Sequence, residues 1–283
     1  MTAHDPDVLW RQDPGDMLGS TMAVFAEHAS AVTGRDLGEA DYSRLHTWSI
    51  REPAEFWGSL ADFFGVRFHT EPASVLTGEG VEHASWFEGA TLNYAEHALA
   101  ARPGREDDDP AIVECREQGP DRMVTFGELR SLVASASAGL RALGVGGGDR
   151  VVGLVPNSLE AVVAFLATAS LGAIWSSCSP DFGSHAVTER FAQLDPAVLL
   201  VVDGYTFGGR PFDVMPTARS LADALPATAV VLIPRMDPDA RLDGAHTWSD
   251  LVALSAPLEF APVPFAHPLL VLFSSGTTRP PKG

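Results

Sequence analysis

The fold is decided by Arg150-Val151-Val152-Gly153-Leu154-Val155 and by its counterpart, Ala197-Val198-Leu199-Leu200-Val201-Val202. Both are short apolar runs rich in branched residues, which is typical of strands buried on both faces. A third run of this kind occupies residues 229–233. Helical patterns separate the runs, so the sequence predicts βαβ units and a parallel sheet flanked by helices, which is an α/β fold.

The segments between these strands carry helix signals. Ser158 can cap a helix, a short strand is predicted over 173–176, and further helices are predicted over 184–194 and 217–225. In parallel sheets of this kind, ligands bind at the carboxyl ends of the strands. We therefore expect the functional site at that edge of the sheet.

The chain finishes with an apolar run over 269–273, followed by Ser274-Ser275-Gly276-Thr277-Thr278-Arg279-Pro280-Pro281-Lys282-Gly283. The run predicts a buried strand. Amides near a glycine, hydroxyl groups and a lysine can together surround phosphate oxygens. The segment is not a Walker-type loop, because Pro281 stands where that motif needs its second glycine. A plain polar tail is the alternative, and we favour a phosphate-binding loop.

Residues 1–105 are predicted to form a helical, aromatic-rich lobe, separate from an α/β domain over 106–283. The stretch 54–64 places apolar residues on one helical stripe, at Phe56, Trp57, Leu60, Phe63 and Phe64. Asp107-Asp108-Asp109 belongs to a polar run that we interpret as a surface loop. A metal site is disfavoured there, because three adjacent carboxylates do not turn towards one point.

A hairpin and a capped helix are predicted next. Residues 111–115 and 122–124 read as strands on either side of a Gly-Pro-Asp turn, with Cys115 as a strand residue. Thr125 and Glu128 have the spacing of a capping box, so a helix is expected to begin there.

Composition narrows the classes of partner. The formal net charge is −18, which disfavours nucleic acid and anionic membranes as partners. Cys115 and Cys178 are the two cysteines, too few for a disulfide framework, so we expect a reducing, cytoplasmic setting. No signal peptide or transmembrane stretch is visible in the sequence.

Several stretches together resemble one superfamily. Residues 273–278 with Pro281-Lys282-Gly283 resemble the phosphate-binding signature of the adenylate-forming acyl-CoA synthetases. Residues 143–157 look like the same superfamily's first parallel strand with its flanks. Residues 169–183 are similar to the acetoacetate–CoA ligase branch in particular. Further stretches that look like this branch are 46–49, 92–96 and 202–209.

The resemblance implies a two-step ligase. Acetoacetate and ATP would form an acyl-adenylate and pyrophosphate, and the acyl group would then pass to coenzyme A to give acetoacetyl-CoA. Donors and a cation, with Mg²⁺, would stabilise the charge on the leaving pyrophosphate. By resemblance, the ATP phosphates would contact Ser274, Ser275, Gly276, Thr277, Thr278 and Lys282.

By the same resemblance, the phosphates of coenzyme A would approach Gly208, Gly209 and Arg210. Arginine suits phosphate because its guanidinium can form two parallel hydrogen bonds. A surface turn with an incidental arginine is an equally good interpretation of these three residues.

The sequence departs from the superfamily's pattern in two ways. Arg279 stands where a glycine is usual, and a side chain there can crowd the loop. The acidic magnesium ligand, the ribose-binding aspartate, the hinge and the domain with the catalytic lysine find no match in these 283 residues. We therefore assign neither catalytic residues nor metal ligands, and expect an N-terminal portion that cannot complete the reaction alone.

Three alternatives stay open at this point. The first is another short-chain acyl-CoA synthetase, such as one acting on acetate or propionate. The second is a non-catalytic module that binds a nucleotide, coenzyme A or a partner protein. The third is a truncated product without a stable function, because a parallel sheet cut at its last strand would expose an edge.

Overall fold

The computed structural model describes residues 14–38, 42–78, 80–101, 105–117, 119–226, 228–274 and 283. Its internal contacts divide the chain into two compact units, Met1–Thr91 and Leu92–Gly283. The functional boundary that we place between residues 105 and 106 stays a prediction. Within the described ranges, every helix is too short or too polar to serve as a transmembrane segment.

Helices dominate the first unit, as predicted. Its elements are α1 (Pro14–Leu18), α2 (Thr21–Thr33), α3 (Tyr42–Arg51), α4 (Pro53–Phe63), β1 (Ser74–Thr77) and β2 (Ser85–Glu88), and β3 (Thr91–Leu92) spans the division. Strands β1 and β2 form an antiparallel hairpin that the helical pattern did not predict.

An aromatic core holds the helices of the first unit together. The rings of Phe25 and Trp48 stack at 6.3 Å, and the indole nitrogen of Trp48 donates to Glu55 at 2.7 Å. The predicted stripe on α4 packs against this core through Phe56, Leu60 and Phe63. The other two members of the stripe are exposed. The ring of Trp57 lies 6.0 Å from that of Trp86, and Phe64 follows the last residue of α4.

The second unit is an α/β fold. Its elements are α5 (Tyr94–Leu99), β4 (Pro110–Glu114), β5 (Arg122–Thr125), α6 (Phe126–Ala142), β6 (Arg150–Leu154), α7 (Leu159–Ser170), β7 (Ile174–Cys178), α8 (Ser184–Phe191), β8 (Val198–Val202), β9 (Gly204–Phe207), β10 (Arg210–Asp213), α9 (Met215–Ala224), β11 (Ala229–Ile233), β12 (His246–Thr247), α10 (Trp248–Leu251) and β13 (Val263–Pro264).

A five-stranded parallel sheet in the order β12-β11-β8-β6-β7 forms the centre of this unit. All five residues of β8 are buried, as expected for a strand covered on both faces. Helices α6 and α7 pack on each other, and α8 packs on α9. The predicted parallel α/β sheet is therefore confirmed. Apolar runs that alternate with amphipathic helices lead to this fold because few other arrangements bury both.

Local signals read from the sequence hold at the helix starts. Thr125 and Glu128 form the predicted capping box at α6, and the hydroxyl of Ser158 accepts from the amide of Ala161 at α7. Asn93 caps α5, and its side-chain amide also donates to the carbonyl of Ala261 at 2.8 Å. These side chains satisfy amides that the first helical turn leaves without a partner.

The prediction of a full strand over 269–273 is wrong. Leu270 forms an isolated parallel bridge with Trp175, and the amide of Val271 donates to the Trp175 carbonyl at 2.9 Å. Among the described residues the segment pairs only with β7. The pairing is limited to a single bridge, which is too short to count as a strand. The parallel direction still carries the chain towards the edge where β7 ends.

Candidate functional site

A cavity of about 1150 Å³ opens at the carboxyl edge of the parallel sheet. Residues that follow directly after β6, β7 and β11 contribute to its wall, namely Val155, Ser179 and Pro234. Arg235, next after Pro234, lines the cavity as well. Most of the remaining wall comes from the β4–β5 hairpin, the end of β7, the start of α7 and β9. This is the edge at which the order of strands and crossovers predicts ligand binding.

Arg235 organises one wall of the cavity. Its guanidinium donates through Nη1 to Glu160 at 2.8 Å and through Nη2 to Glu114 at 2.9 Å. Both carboxylates are nearly buried, so each needs a cation and hydrogen bonds to stay ionised. Arg116 bonds the second oxygen of Glu114 at 2.8 Å, and Arg122 reaches Glu160 at 3.3 Å.

The charge network lowers the pKa of Glu114. Burial by itself would raise that pKa, but hydrogen bonds from Arg116 and Arg235, together with their charges, more than offset this effect. Glu114 is therefore a fixed anion at neutral pH. The network ties three elements together, since Glu114, Arg122, Glu160 and Arg235 each have a partner on another element, and Arg116 supports Glu114 from within the same hairpin.

The β9–β10 hairpin carries the predicted coenzyme A residues, which directly follow residues that line this cavity. Phe207 and Arg210 face each other across a two-residue turn made by Gly208 and Gly209, whose φ angles are +59° and +73°. Such angles at both positions favour glycine. Phe207 lines the cavity, and the side chain of Arg210 is exposed.

The amides of the glycine turn point at a carboxylate. The Gly208 N–H donates to Glu117 Oε1 at 3.0 Å, and the Gly209 N–H donates to Glu117 Oε2 at 2.9 Å. Glu117 lies in the β4–β5 loop and lines the same cavity. Consecutive amides in this geometry form an anion-binding concavity.

The predicted ATP loop is described only at its first residue. Ser274 is exposed and follows the segment that runs beside β7. The other predicted contacts lie outside the described residues, and these are Ser275, Gly276, Thr277, Thr278 and Lys282. Their role stays a prediction.

Both cysteines line the cavity and are free thiols. Cys178 is the last residue of β7 and is buried. Burial raises the pKa of its thiol, and the charge of Arg190 opposes that effect. Cys115 was predicted to lie on a strand, but β4 ends at Glu114 and Cys115 is exposed just beyond it.

The acidic run before β4 is occupied by structural contacts. Asp107 pairs with Arg130, and the side chain of Asp109 accepts from the amide of Glu106 at 2.7 Å. Within the part of the chain that the structure describes, no group of three or more ligating side chains could hold a metal ion. The interpretation of this run as a surface loop agrees with these contacts.

Sequence reasoning missed Arg235 and Glu117. Arg235 had a usable signal, because it stands two residues after the predicted strand 229–233 at the carboxyl edge of the sheet. Glu117 had none, because its partners lie more than ninety residues away in the sequence.

Two family models match the chain. The model described as "AMP-binding enzyme" matches residues 99–283, and the one described as "Acetyl-coenzyme A synthetase N-terminus" matches residues 42–98. The boundary between the two matches lies near the division between the compact units.

Relatives with curated names cover the whole chain. The acetoacetyl-coenzyme A synthetase of Rhizobium meliloti (strain 1021) is 39% identical over 288 residues, which is 100% of this chain and 43% of the relative. The acetoacetyl-CoA synthetase of Mus musculus is 38% identical over 289 residues, 97% of this chain and 42% of the relative. The chain thus spans about two fifths of the length of these relatives.

A solved structure has the same backbone. The acetoacetyl-CoA synthetase from Streptomyces lividans superimposes with a TM-score of 0.90 at 44% sequence identity, over 98% of this chain and 42% of that one. The chain therefore has the fold of the corresponding part of that structure.

Proposed function

The chain belongs to the AMP-binding enzyme family, and on that premise we propose that it acts in an ATP-dependent acid–thiol ligase reaction. The reaction forms acetoacetyl-CoA from acetoacetate, ATP and coenzyme A through an acyl-adenylate. The acid is taken from the names of the relatives, which are acetoacetyl-CoA synthetases. The two free thiols support a reducing, cytoplasmic setting.

The observation that supports this function best is the cavity at the carboxyl edge of the sheet. Coenzyme A carries a diphosphate and a separate sugar phosphate, so its site needs fixed donors and cations. The hairpin turn that follows the cavity-lining Phe207 carries the exposed Arg210 and the amides of Gly208 and Gly209, which already hold one carboxylate, that of Glu117. The wall holds Arg116 and Arg122, each paired with a glutamate. Although the chain has a net charge of −18, three of its arginines line this one cavity, namely Arg116, Arg122 and Arg235, beside the carboxylates that they pair.

The ATP phosphates are proposed to bind the loop that contains Ser274, Ser275, Gly276, Thr277, Thr278 and Lys282. The course of residues 269–271 beside β7 supports this, because the chain runs there parallel to β7, towards the edge of the sheet at which the cavity opens. Mg²⁺ would share the charge of the phosphates with Lys282, and it comes with ATP as part of the substrate.

Calorimetric titration of the chain with coenzyme A tests the first binding site. We expect saturable binding that Arg210→Ala weakens by about tenfold or more, since a hydrogen bond to a charged group contributes about 1.5–3 kcal/mol. Arg51→Ala removes an exposed arginine from the first unit and should leave the affinity unchanged. Absence of saturable binding by the unmodified chain would contradict the proposal.

A non-catalytic coenzyme A-binding module is the second candidate. One feature of the described cavity favours it. The arginines and amides in its wall bind carboxylates, and such groups can bind an anionic ligand without catalysing a reaction. Titration with ATP and Mg²⁺ separates the candidates. The ligase predicts ATP binding that Lys282→Ala abolishes while coenzyme A binding persists, and the module predicts coenzyme A binding alone.

A further inference from the structure

Glu117 makes an unusual contact for an exposed glutamate. Both oxygens of its carboxylate accept hydrogen bonds, at 3.0 and 2.9 Å, from the consecutive amides of Gly208 and Gly209. A carboxylate held by two parallel N–H groups occupies the position that a phosphate would take, because both present two oxygens to one pair of donors. The glycine turn is therefore a formed anion site with an occupant from the chain itself.

The carboxylate of Glu117 should weaken the binding of an anionic ligand to the cavity. Glu114 and Glu160 are neutralised by Arg116, Arg122 and Arg235. The hydrogen bonds of Glu117 come instead from uncharged amides, and no cation among the described residues forms an ion pair with it. A phosphate at the turn would have to displace this carboxylate or meet it at close range.

We propose that Glu117 is an intramolecular competitor for the anion site of the Gly208–Gly209 turn, and that it determines how tightly the cavity binds a phosphorylated ligand. The displacing ligand is coenzyme A, so the inference rests on the proposed function. Binding would exchange the carboxylate for a ligand phosphate on the two amides. The same exchange would release the β4–β5 loop from the β9–β10 hairpin.

The glycine turn is rigid and has free space beside its two amides. An ideal Cβ at either glycine would meet no atom within 4 Å, so open space lies beside the amides for a ligand. The turn is rigid, because β9 and β10 pair through four residues on each side. A competitor that comes from a different hairpin can leave this fixed anion site without distorting it.

Glu117→Gln in the full chain tests the proposal, because it removes the charge and keeps the size of the side chain. We expect calorimetry to show coenzyme A binding at least about fivefold tighter than in the unmodified chain, a gain of about 1 kcal/mol. Asp181→Asn is the matched control, since Asp181 is an exposed acid that also lines the cavity. The affinity of the Asp181→Asn variant for coenzyme A should change by less than about twofold. Equal or weaker binding by Glu117→Gln would overturn the proposal.

A second readout does not depend on coenzyme A. The amide NMR signals of Gly208 and Gly209 should shift on Glu117→Gln, and inorganic pyrophosphate should move them further in that variant than in the unmodified chain. If neither protein binds coenzyme A, the proposed function fails and this titration alone decides the inference. Signals that respond to pyrophosphate equally in both proteins, or in neither, would overturn it.

Discussion

Arg235 Nη1 lies 2.8 Å from Glu160 Oε2, although 75 residues separate the two in the sequence. The same guanidinium holds Glu114, so one cation from the end of β11 joins the end of β4 to the first turn of α7. The side chains of Glu114 and Glu160 are only 6% and 12% exposed. Removal of the arginine would leave two buried charges with weaker compensation.

Arg235→Met should therefore destabilise the chain strongly. Breaking a buried ion pair from one side costs about 3–5 kcal/mol, and urea denaturation followed by circular dichroism measures the loss. Arg122→Met is the matched control, because Arg122 is 43% exposed and lies 3.3 Å from the same Glu160. It should cost about 1 kcal/mol or less. Equal losses in the two variants would contradict the central role of Arg235.

Acid should weaken the second unit through Glu114. The pKa of this carboxyl is lowered from its ordinary value of 4.5, so its contribution to stability is complete above that value. The contribution is lost as the pH falls through the lowered pKa, because protonation removes the charge that both arginines bind. The free energy of unfolding, measured from about pH 6 to about pH 3, should fall less steeply in Glu114→Gln. Identical slopes would show that Glu114 does not carry this dependence.

Gly139→Ala should disrupt the packing of α6 on α10. A Cβ at position 139 would lie 2.0 Å from the carbonyl oxygen of Leu251, so the two helices would have to move apart. We expect the free energy of unfolding, measured by thermal or chemical denaturation, to fall by about 1–3 kcal/mol, despite the better helix propensity of alanine. Gly146→Ala is the control, since its Cβ would meet only the Asp149 carboxylate at 3.8 Å. A neutral Gly139→Ala would mean that the close approach is not needed.

Alkylation should distinguish the two thiols. Iodoacetamide should modify Cys115 quickly, because it is exposed, and Cys178 slowly, because it is buried and its pKa is raised. Acetyl-CoA, which has no free thiol, should slow the reaction at Cys115 if it occupies the cavity that Cys115 lines. Mass spectrometry of the digested protein measures the rate of alkylation at each cysteine. The Cys115→Ser variant should lose the fast reaction. Protection of neither thiol would argue against ligand binding in the cavity.

Local chemistry explains why much of the fold is predictable. The capping box at Thr125 and Glu128, the cap at Ser158 and the fully apolar β8 depend on neighbours within a few residues. Such signals survive folding because tertiary contacts reinforce them. The segment 269–273 shows where local prediction fails. Its apolar pattern is that of a strand, but among the described residues it pairs on one side only and forms a single bridge.

The sequence by itself determined the parallel α/β unit, the helical first unit and the edge of the sheet at which a ligand would bind. Strand and helix periods are local, and the order of crossovers fixes the ligand edge. Only the tertiary structure decided that Arg235 joins Glu114 to Glu160, and that Glu117 fills the amides of Gly208 and Gly209. These contacts join residues 75 to 121 positions apart, and no local pattern specifies which distant charge will meet which donor.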